Sequence, residues 1–517
     1  MRLLASAAVA VLLALVAAYV QLSISISRLQ QKPLPRVHCD QEAGGEEAVA
    51  RFAKLLTYNT ISSIDALHHV NQPAEFEAVH KHLRESYPFV WTHAKAEQVC
   101  EYSLLVTWQG ANESALPVLF VSHVDVVPIG GNEDKWTHPP FGGVVADGCI
   151  WGRGAVDVKI SVAAILESWN QLMKDGHTPE RTMILAVGHD EETSGRLGAG
   201  CMAGILKDRG VTLEAIFDEG GCVASSGISF IKSPVALIAT AEKGYTDVLV
   251  GVHSPGGHSS MPPTDGSTSA AILSRVINHA ENHRPAVALL PPATDFVQFM
   301  APYAPLAIRP LLKFCDKWPL NWLVARVLYR LSPETAAMVS TTVATTNVRA
   351  GVSGNVLPLD ASAVFNIRTL PGTVLQELVD YFYDVGQRVA GSAAGKISVK
   401  LRPPESGEIG NDPSNVTSSS GSAFATLMRA VQEAMVVEGE APVVAPYLVM
   451  GGTDSKHYAA LSVGGTLRFV PMALDIRAGE LARVHGIDER IEVPAYKQAV
   501  CAYKQITKRF GAAQWAA

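Results

Sequence analysis

His123 and Asp125 in SHVDVVP, Asp157 in WGRGAVDVK, Asp190, Glu191 and Glu192 in HDEETSG, Asp218 in IFDEGG and His457 in MGGTDSKHY have side chains that could bind a cation or carry a proton. In an extended segment, residues two apart lie on one side, so His123 can bind a metal while Asp125 orients its imidazole. Three adjacent carboxylates repel one another unless a cation or solvent relieves them. Taken singly, each segment also has an ordinary reading: a histidine and carboxylate with local jobs, an Asp that caps a turn, a solvated acidic loop. Together, His123, Asp157, Glu192, Asp218 and His457 supply imidazoles and carboxylates in a mix that suits zinc, with carboxylate bridging.

Such residues need strand ends on which to converge. Residues 117–122 (PVLFVS) and 182–188 (TMILAVG) are short apolar runs suited to buried strands, and 214–217 leads into Asp218 in the same way. Residues 159–174 carry apolar side chains on a helical period that stops at Gly176. This alternation predicts an α/β catalytic domain with a mostly parallel central sheet and helices on both faces, its site at the strand ends. The pattern changes at Lys243-Gly244: strands near 246–252, 341–347, 361–367 and 396–401 accompany helices near 267–280 and 374–390. We expect a smaller α+β unit inserted over 243–404, between catalytic segments 46–242 and 405–517. Residues 285–333 are rich in Leu, Pro, Trp and Phe. They read as an extra helical layer packed on the insert, or else as a greasy lid for an acyl group or a surface that touches membrane.

The chain of 517 residues is 48% hydrophobic and 18% charged, with a net charge of -7, a globular composition for two or three domains. No basic stripe points to nucleic acid. Residues 1–27 form a hydrophobic segment that reads as a signal anchor or as a signal peptide, and 28–45 as a linker. An anchored chain would be a single-pass membrane protein with its catalytic domain lumenal or extracellular; a cleaved one would be secreted. Asn112-Glu-Ser and Asn415-Val-Thr are glycosylation sequons. The seven cysteines (Cys39, Cys100, Cys149, Cys201, Cys222, Cys315, Cys501) contain no CxxC pair, which excludes a zinc-finger framework and leaves room for one or two disulfides in a secreted chain.

In order and wording, SHVDVVP, GRGAVDVK, DEE, DEGG, GGHSS and a distant His resemble the co-catalytic two-zinc peptidase family of carboxypeptidase S, aminoacylase, carboxypeptidase G and succinyl-diaminopimelate desuccinylase. The resemblance covers essentially everything after the N-terminal segment. It implies that Asp157 bridges two Zn²⁺, with Co²⁺ or Mn²⁺ as substitutes. His123 and Asp218 would complete one site, and Glu192 and His457 the other, while Glu191 acts as general base. It implies further that His258 in GGHSS stabilises the oxyanion, in dimeric relatives from the neighbouring subunit. Asn355 in GNVLP and Arg368 in FNIRTLPG would contact substrate. His485 and Glu489 in VHGIDER match a late motif near the site. The insert would serve as lid or homodimerisation domain. The implied activity is amide hydrolysis, either release of a C-terminal amino acid from short peptides or hydrolysis and synthesis of N-acyl amino acids. A non-catalytic zinc-binding protein on this fold and a membrane-bound adaptor are the alternatives outside catalysis.

Overall fold

The computed structural model describes residues 2–32, 34–37, 45–228, 231–283, 286–390, 397–403 and 410–515, with side chains from residue 11 onward. Cys39, Pro285, residues 38–44 of the linker and the expected boundary at 404–405 lie outside the described residues. In chain order, the first catalytic segment contributes to the central sheet β1 (Lys95–Val99), β2 (Ser103–Trp108), β3 (Val118–His123), β4 (Met183–Gly188), β5 (Ala215–Asp218), β6 (Val223–Ala224) and β7 (Val235–Glu242). The insert contributes β8 (Gly244–His253), β9 (Thr342–Ala350), β10 (Asp360–Thr369) and β11 (Ile397–Leu401). The second catalytic segment contributes β12 (Val443–Val449), β13 (Thr466–Arg468) and β14 (Ala473–Leu474).

The central sheet runs β1-β2-β4-β3-β5-β13-β7-β6-β14, with β12 also paired to β7. β3 lies parallel to both β4 and β5, and all three strands are buried along their whole length. Alternate residues feed two cores. Leu104, Phe120 and Leu185 meet the helices Lys159–Lys174 and Val493–Phe510 on one face. Leu105, Leu119, Val121 and Ile184 meet the helix Ala199–Asp208 on the other. Strands covered on both faces are apolar at every position, which is why these runs stand out in the sequence. The helix Lys159–Lys174 stops where Gly176 takes φ 74°, with His177 N donating to Leu172 O and Gly176 N to Met173 O. A disulfide between Cys100 and Cys201 ties the β1–β2 hairpin to the helix Ala199–Asp208; Cys501 is disulfide-bonded as well, and Cys149, Cys222 and Cys315 are free thiols.

The insert is a separate antiparallel sheet in the order β9-β10-β8-β11, backed by the helices Ser269–Asn282 and Leu375–Ala390. Burial alternates along β10, and the helix Leu375–Ala390 turns Leu378, Phe382 and Val385 to the sheet. Gly386 lets this helix approach closely: a Cβ there would sit 2.9 Å from the Ile397 side chain.

The apolar stretch from residue 286 to 339 lies elsewhere than expected. Its helix Ala293–Met300 packs on β12 of the catalytic sheet, where Met300 joins Val443 and Ala445 in one cluster, and Phe299 meets Phe424 edge-on at 5.9 Å. It therefore covers the catalytic domain and is not a further layer on the insert. Buried Lys243, between β7 and β8, donates to Ala337 O and Ser340 O (3.1 and 2.8 Å), which fastens the stretch to the junction of the two domains. Burial pulls the Lys243 ammonium down to about 7.

The N-terminal segment forms one helix, Arg2–Ser27, which rests on residues 301–313, with Tyr19 Oη donating to Ala307 O at 2.6 Å. Among the described residues, no helix is long and apolar enough to cross a membrane, so the spanning anchor expected from the sequence finds no support. Just beyond the helix, Gln31 lays its amide along β12: Nε2 donates to Val444 O (2.6 Å) and Oε1 accepts from Val444 N (2.9 Å).

Candidate active site

The parallel strands β3 and β4 run side by side, as do β3 and β5, so their C-terminal ends fall together and carry His123, the 190–192 turn and the 218–219 pair. This edge is where open parallel sheets place their sites. Asp157 joins from the turn before the helix Lys159–Lys174. His123 is buried, and its Nδ1 contacts Asp125 O at 3.0 Å and Asp125 Oδ1 at 3.3 Å. A proton on Nδ1 satisfies that contact and leaves the Nε2 lone pair facing Asp157 Oδ1 and Glu219 Oε1, both at 3.3 Å. Asp125 does more than orient the imidazole. Its carboxylate also accepts from Ser62 Oγ (2.7 Å) and from the backbone N–H groups of Glu191 and Glu192 (both 3.1 Å), which fixes the acidic turn against β3.

Of the three adjacent acids, Asp190 turns inward as a staple, accepting from Leu197 N and Gly198 N and meeting His69 Nδ1 at 2.9 Å. Glu191 and Glu192 face the cluster. Ligand atoms of His123, Asp157 and Glu192 lie within 4.8 Å of one another, as do those of His123, Glu191 and Glu219. His485 closes the far side, its Nε2 3.0 Å from Asp157 Oδ2 and 3.2 Å from Glu192 Oε2.

Two expected ligands stand apart from this cluster, while His485, expected only near the site, and Glu219, not singled out in the sequence, stand in it. Asp218 ends β5 facing away, with Ser455 N donating to Oδ2 at 2.6 Å and Glu219 N to Oδ1 at 2.8 Å. The next residue, Glu219, points at His123. His457 sits in the short helix Ser455–Tyr458 with Nε2 2.9 Å from Ser194 O, so it latches the acidic turn from behind. Thr453 and Ser455 of its motif are structural. Thr453 donates to Glu242 Oε2 through both N and Oγ1, and Arg468 bridges Glu242 and Ser455, in a buried network at the end of β7. The imidazole at the cluster comes instead from VHGIDER. There His485 takes φ 59°, and the following Gly486 lies where a Cβ would come within 2.4 Å of Ala482 O.

The donors fit a divalent cation. His123 Nε2 and Glu192 Oε1 are buried without a hydrogen-bond partner among the described residues. Burial and the charge of Glu219 push Glu191 well above the usual carboxylate range. Burial and Asp157 push Glu192 up to about 7 and Glu219 up to about 8. The hydrogen bonds to Asp157 and Glu192 carry His485 up to about 10. These shifts describe carboxylates too crowded to hold their charge alone, which is the situation a cation relieves.

Glu489 supports the turn that carries Asp157. Wholly buried, it accepts from Val156 N (2.8 Å) and Asp157 N (3.1 Å) through Oε1 and from Arg153 Nη1 (2.7 Å) through Oε2. One carboxylate thus joins the Asp157 turn to the His485 segment. Glu489→Gln keeps the shape and removes the charge, so we expect a 10- to 100-fold fall in metal affinity, read by competition with a chromophoric chelator.

The three insert residues stay outside the cluster in this conformation. His258 and Asn355 are exposed on a two-stranded ribbon pairing Gly257–His258 with Val356–Leu357; His258 Nδ1 contacts Ser260 Oγ (2.7 Å) and Asn355 Oδ1 accepts from Ser353 Oγ (2.7 Å). Arg368, on β10 beside the domain junction, lies over the Tyr245 ring at 4.3 Å. Among the described residues, no hydrogen bond or ion pair joins any of the three to the metal-binding cluster.

A carboxylate- and imidazole-lined site at the ends of parallel strands defines a metallo-hydrolase of peptide or amide bonds. The chain belongs to peptidase family M20/M25/M40, whose pattern matches residues 119–509. It is 34% identical over 466 residues to the probable carboxypeptidase S-like 2 of Dictyostelium discoideum, spanning 89% of this chain and 85% of that one. It is equally 34% identical over 425 residues to the human N-fatty-acyl-amino acid synthase/hydrolase PM20D1, spanning 81% and 80%. The fold matches the M20 family metallo-carboxypeptidase Sso-CP2 of Sulfolobus solfataricus with a TM-score of 0.61 at 14% identity, covering 90% of this chain and all of that one.

Proposed function

We propose that the chain holds two zinc ions, one between His123, Glu219 and Asp157 and the other between Asp157, Glu192 and His485. On this reading it cleaves the amide bond of a terminal amino acid that carries a free carboxylate. The observation that carries the reading is the convergence of these five residues around a bridging Asp157, with Glu191 beside them as the spare carboxylate. Cobalt or manganese can occupy such donors as well. When bound, the ions polarise the scissile carbonyl and acidify the attacking water. Glu191 takes the proton from that water and delivers it to the leaving nitrogen. Asp125 positions both partners of this chemistry, since it holds His123 on one side and the Glu191 and Glu192 backbone on the other. Arg368 accepts the free carboxylate of the substrate in a bidentate pair. His258 and Asn355 reach the reacting carbonyl after domain closure or from the insert of a second subunit.

Our first reading of the substrate is a short peptide that loses its C-terminal residue, in line with the carboxypeptidase S-like relative. The second is an N-fatty-acyl amino acid, favoured by an equal likeness to PM20D1. Assaying blocked dipeptides beside N-oleoyl-phenylalanine decides between them; failure on both, with metal bound, would favour a binding protein on this fold. The Cys100–Cys201 disulfide and the exposed sequon residues Asn112 and Asn415 fit an oxidising, secretory location.

A further inference from the structure

We propose that the helix Leu320–Leu331 is an interfacial element that lays the catalytic domain on an anionic lipid bilayer. One face of this helix is already used: Val324 packs with Val297 and Cys315 in the helical layer that covers β12. The opposite face is built differently. Leu323, Val327 and Leu331 recur every four residues and form one apolar row, 46%, 55% and 61% exposed. Beside it runs a second row, Trp322, Arg326 and Arg330, in which the Arg326 guanidinium lies over the Trp322 ring at 4.5 Å. An apolar row flanked by a basic row is the geometry of a helix lying in the plane of a membrane, with hydrocarbon against one row and phosphates against the other. Trp318, 84% exposed just ahead of the helix, is of the type that settles at the headgroup level.

Charge selects the occupant. Residues 305–331 carry five basic side chains (Arg309, Lys313, Lys317, Arg326, Arg330) against the single acid Asp316, in a chain whose net charge is -7. A concentrated positive patch on an acidic protein is complementary to anionic headgroups. A two-fold contact with a second copy would set the basic rows against each other. The N-terminal helix rests on the same stretch through Tyr19 and Ala307, and its Leu12, Leu13 and Leu15 are each more than 60% exposed. Both helices therefore present apolar side chains to solvent. This association is in-plane and requires no spanning helix.

The test floats the full-length protein with phosphatidylcholine vesicles, with and without phosphatidylserine, at low and high salt. Binding should depend on phosphatidylserine and weaken with salt. R326E/R330E should weaken it by about tenfold or more, and V327E/L331E should weaken it in both lipid mixtures. Retained hydrolysis of a soluble substrate verifies that each variant is folded. Brominated phosphatidylcholine should quench the wild-type tryptophan emission more than that of W318F/W322F, which reports on this helix even when the N-terminal helix keeps the protein on the vesicle. Equal flotation of wild type and both variants, or equal quenching, overturns the proposal. So does a dimer that V327E/L331E dissociates without any change in vesicle binding.

Discussion

Glu191→Gln should lower kcat by about 10²- to 10⁴-fold while leaving the metal content unchanged. The Glu191 backbone N–H donates to Asp125 Oδ1, and its carboxylate lies beside His123 and Glu219 as the acid left over from the two proposed ligand sets. Burial and the neighbouring Glu219 already press it toward the neutral form. Glutamine supplies that neutral form permanently, keeps the volume and removes one negative charge from a crowded set. The variant should therefore fold and bind metal as the parent does, and lose only the proton transfer. Steady-state rates beside atomic absorption of the purified protein check this. A variant with full metal and a rate within a few-fold of the parent would remove Glu191 from the chemistry.

His485→Ala and His457→Ala should separate cleanly. His485 lies within 3.2 Å of both Asp157 and Glu192, so its loss should strip one ion per chain and cost more than the 10- to 100-fold typical of residues that merely support a ligand. His457 contacts Ser194 O, and its loss should leave both ions in place. The expected effect there is a fall in unfolding free energy of about 1 kcal/mol, the usual worth of such a hydrogen bond. Metal stoichiometry and urea denaturation of the two variants provide the reading. If His457→Ala loses the ion and His485→Ala keeps it, the assignment reverses to the one suggested by the GGTDSKHY motif.

The contrast between these two histidines shows where the sequence can be read. Strands β3 and β4 are legible because burial on both faces makes them uninterrupted apolar runs, and the acids that follow them could be placed at strand ends with no further information. The same uniform burial hides which way a terminal side chain points. Asp218 and Glu219 are neighbours at the end of β5, successive side chains in extended backbone face opposite ways, and an all-apolar strand carries no alternation from which to choose between them. For His457 the obstacle is distance in the chain. Both GGTDSKHY and VHGIDER return to the strand ends, one behind the acidic turn and one in front of it, and only the folded path tells them apart. The apolar stretch after residue 285 was legible as helical, but a helix such as Leu320–Leu331, apolar on two faces, does not say which face the catalytic domain takes.

The contact between Gln31 and Val444 has a bearing on where this protein can be shortened. Among the described residues, β12 pairs with β7 and with no other strand, and it is buried along nearly its whole length. Gln31 stands in for the missing neighbour at Val444, satisfying donor and acceptor with one side chain, and Gln432 Nε2 holds that side chain in place at 2.7 Å. The segment that follows the N-terminal helix therefore satisfies the free side of β12 at Val444. A version begun at Leu29 keeps this contact, whereas one begun after Gln31 leaves the Val444 N–H and C=O without these two hydrogen bonds.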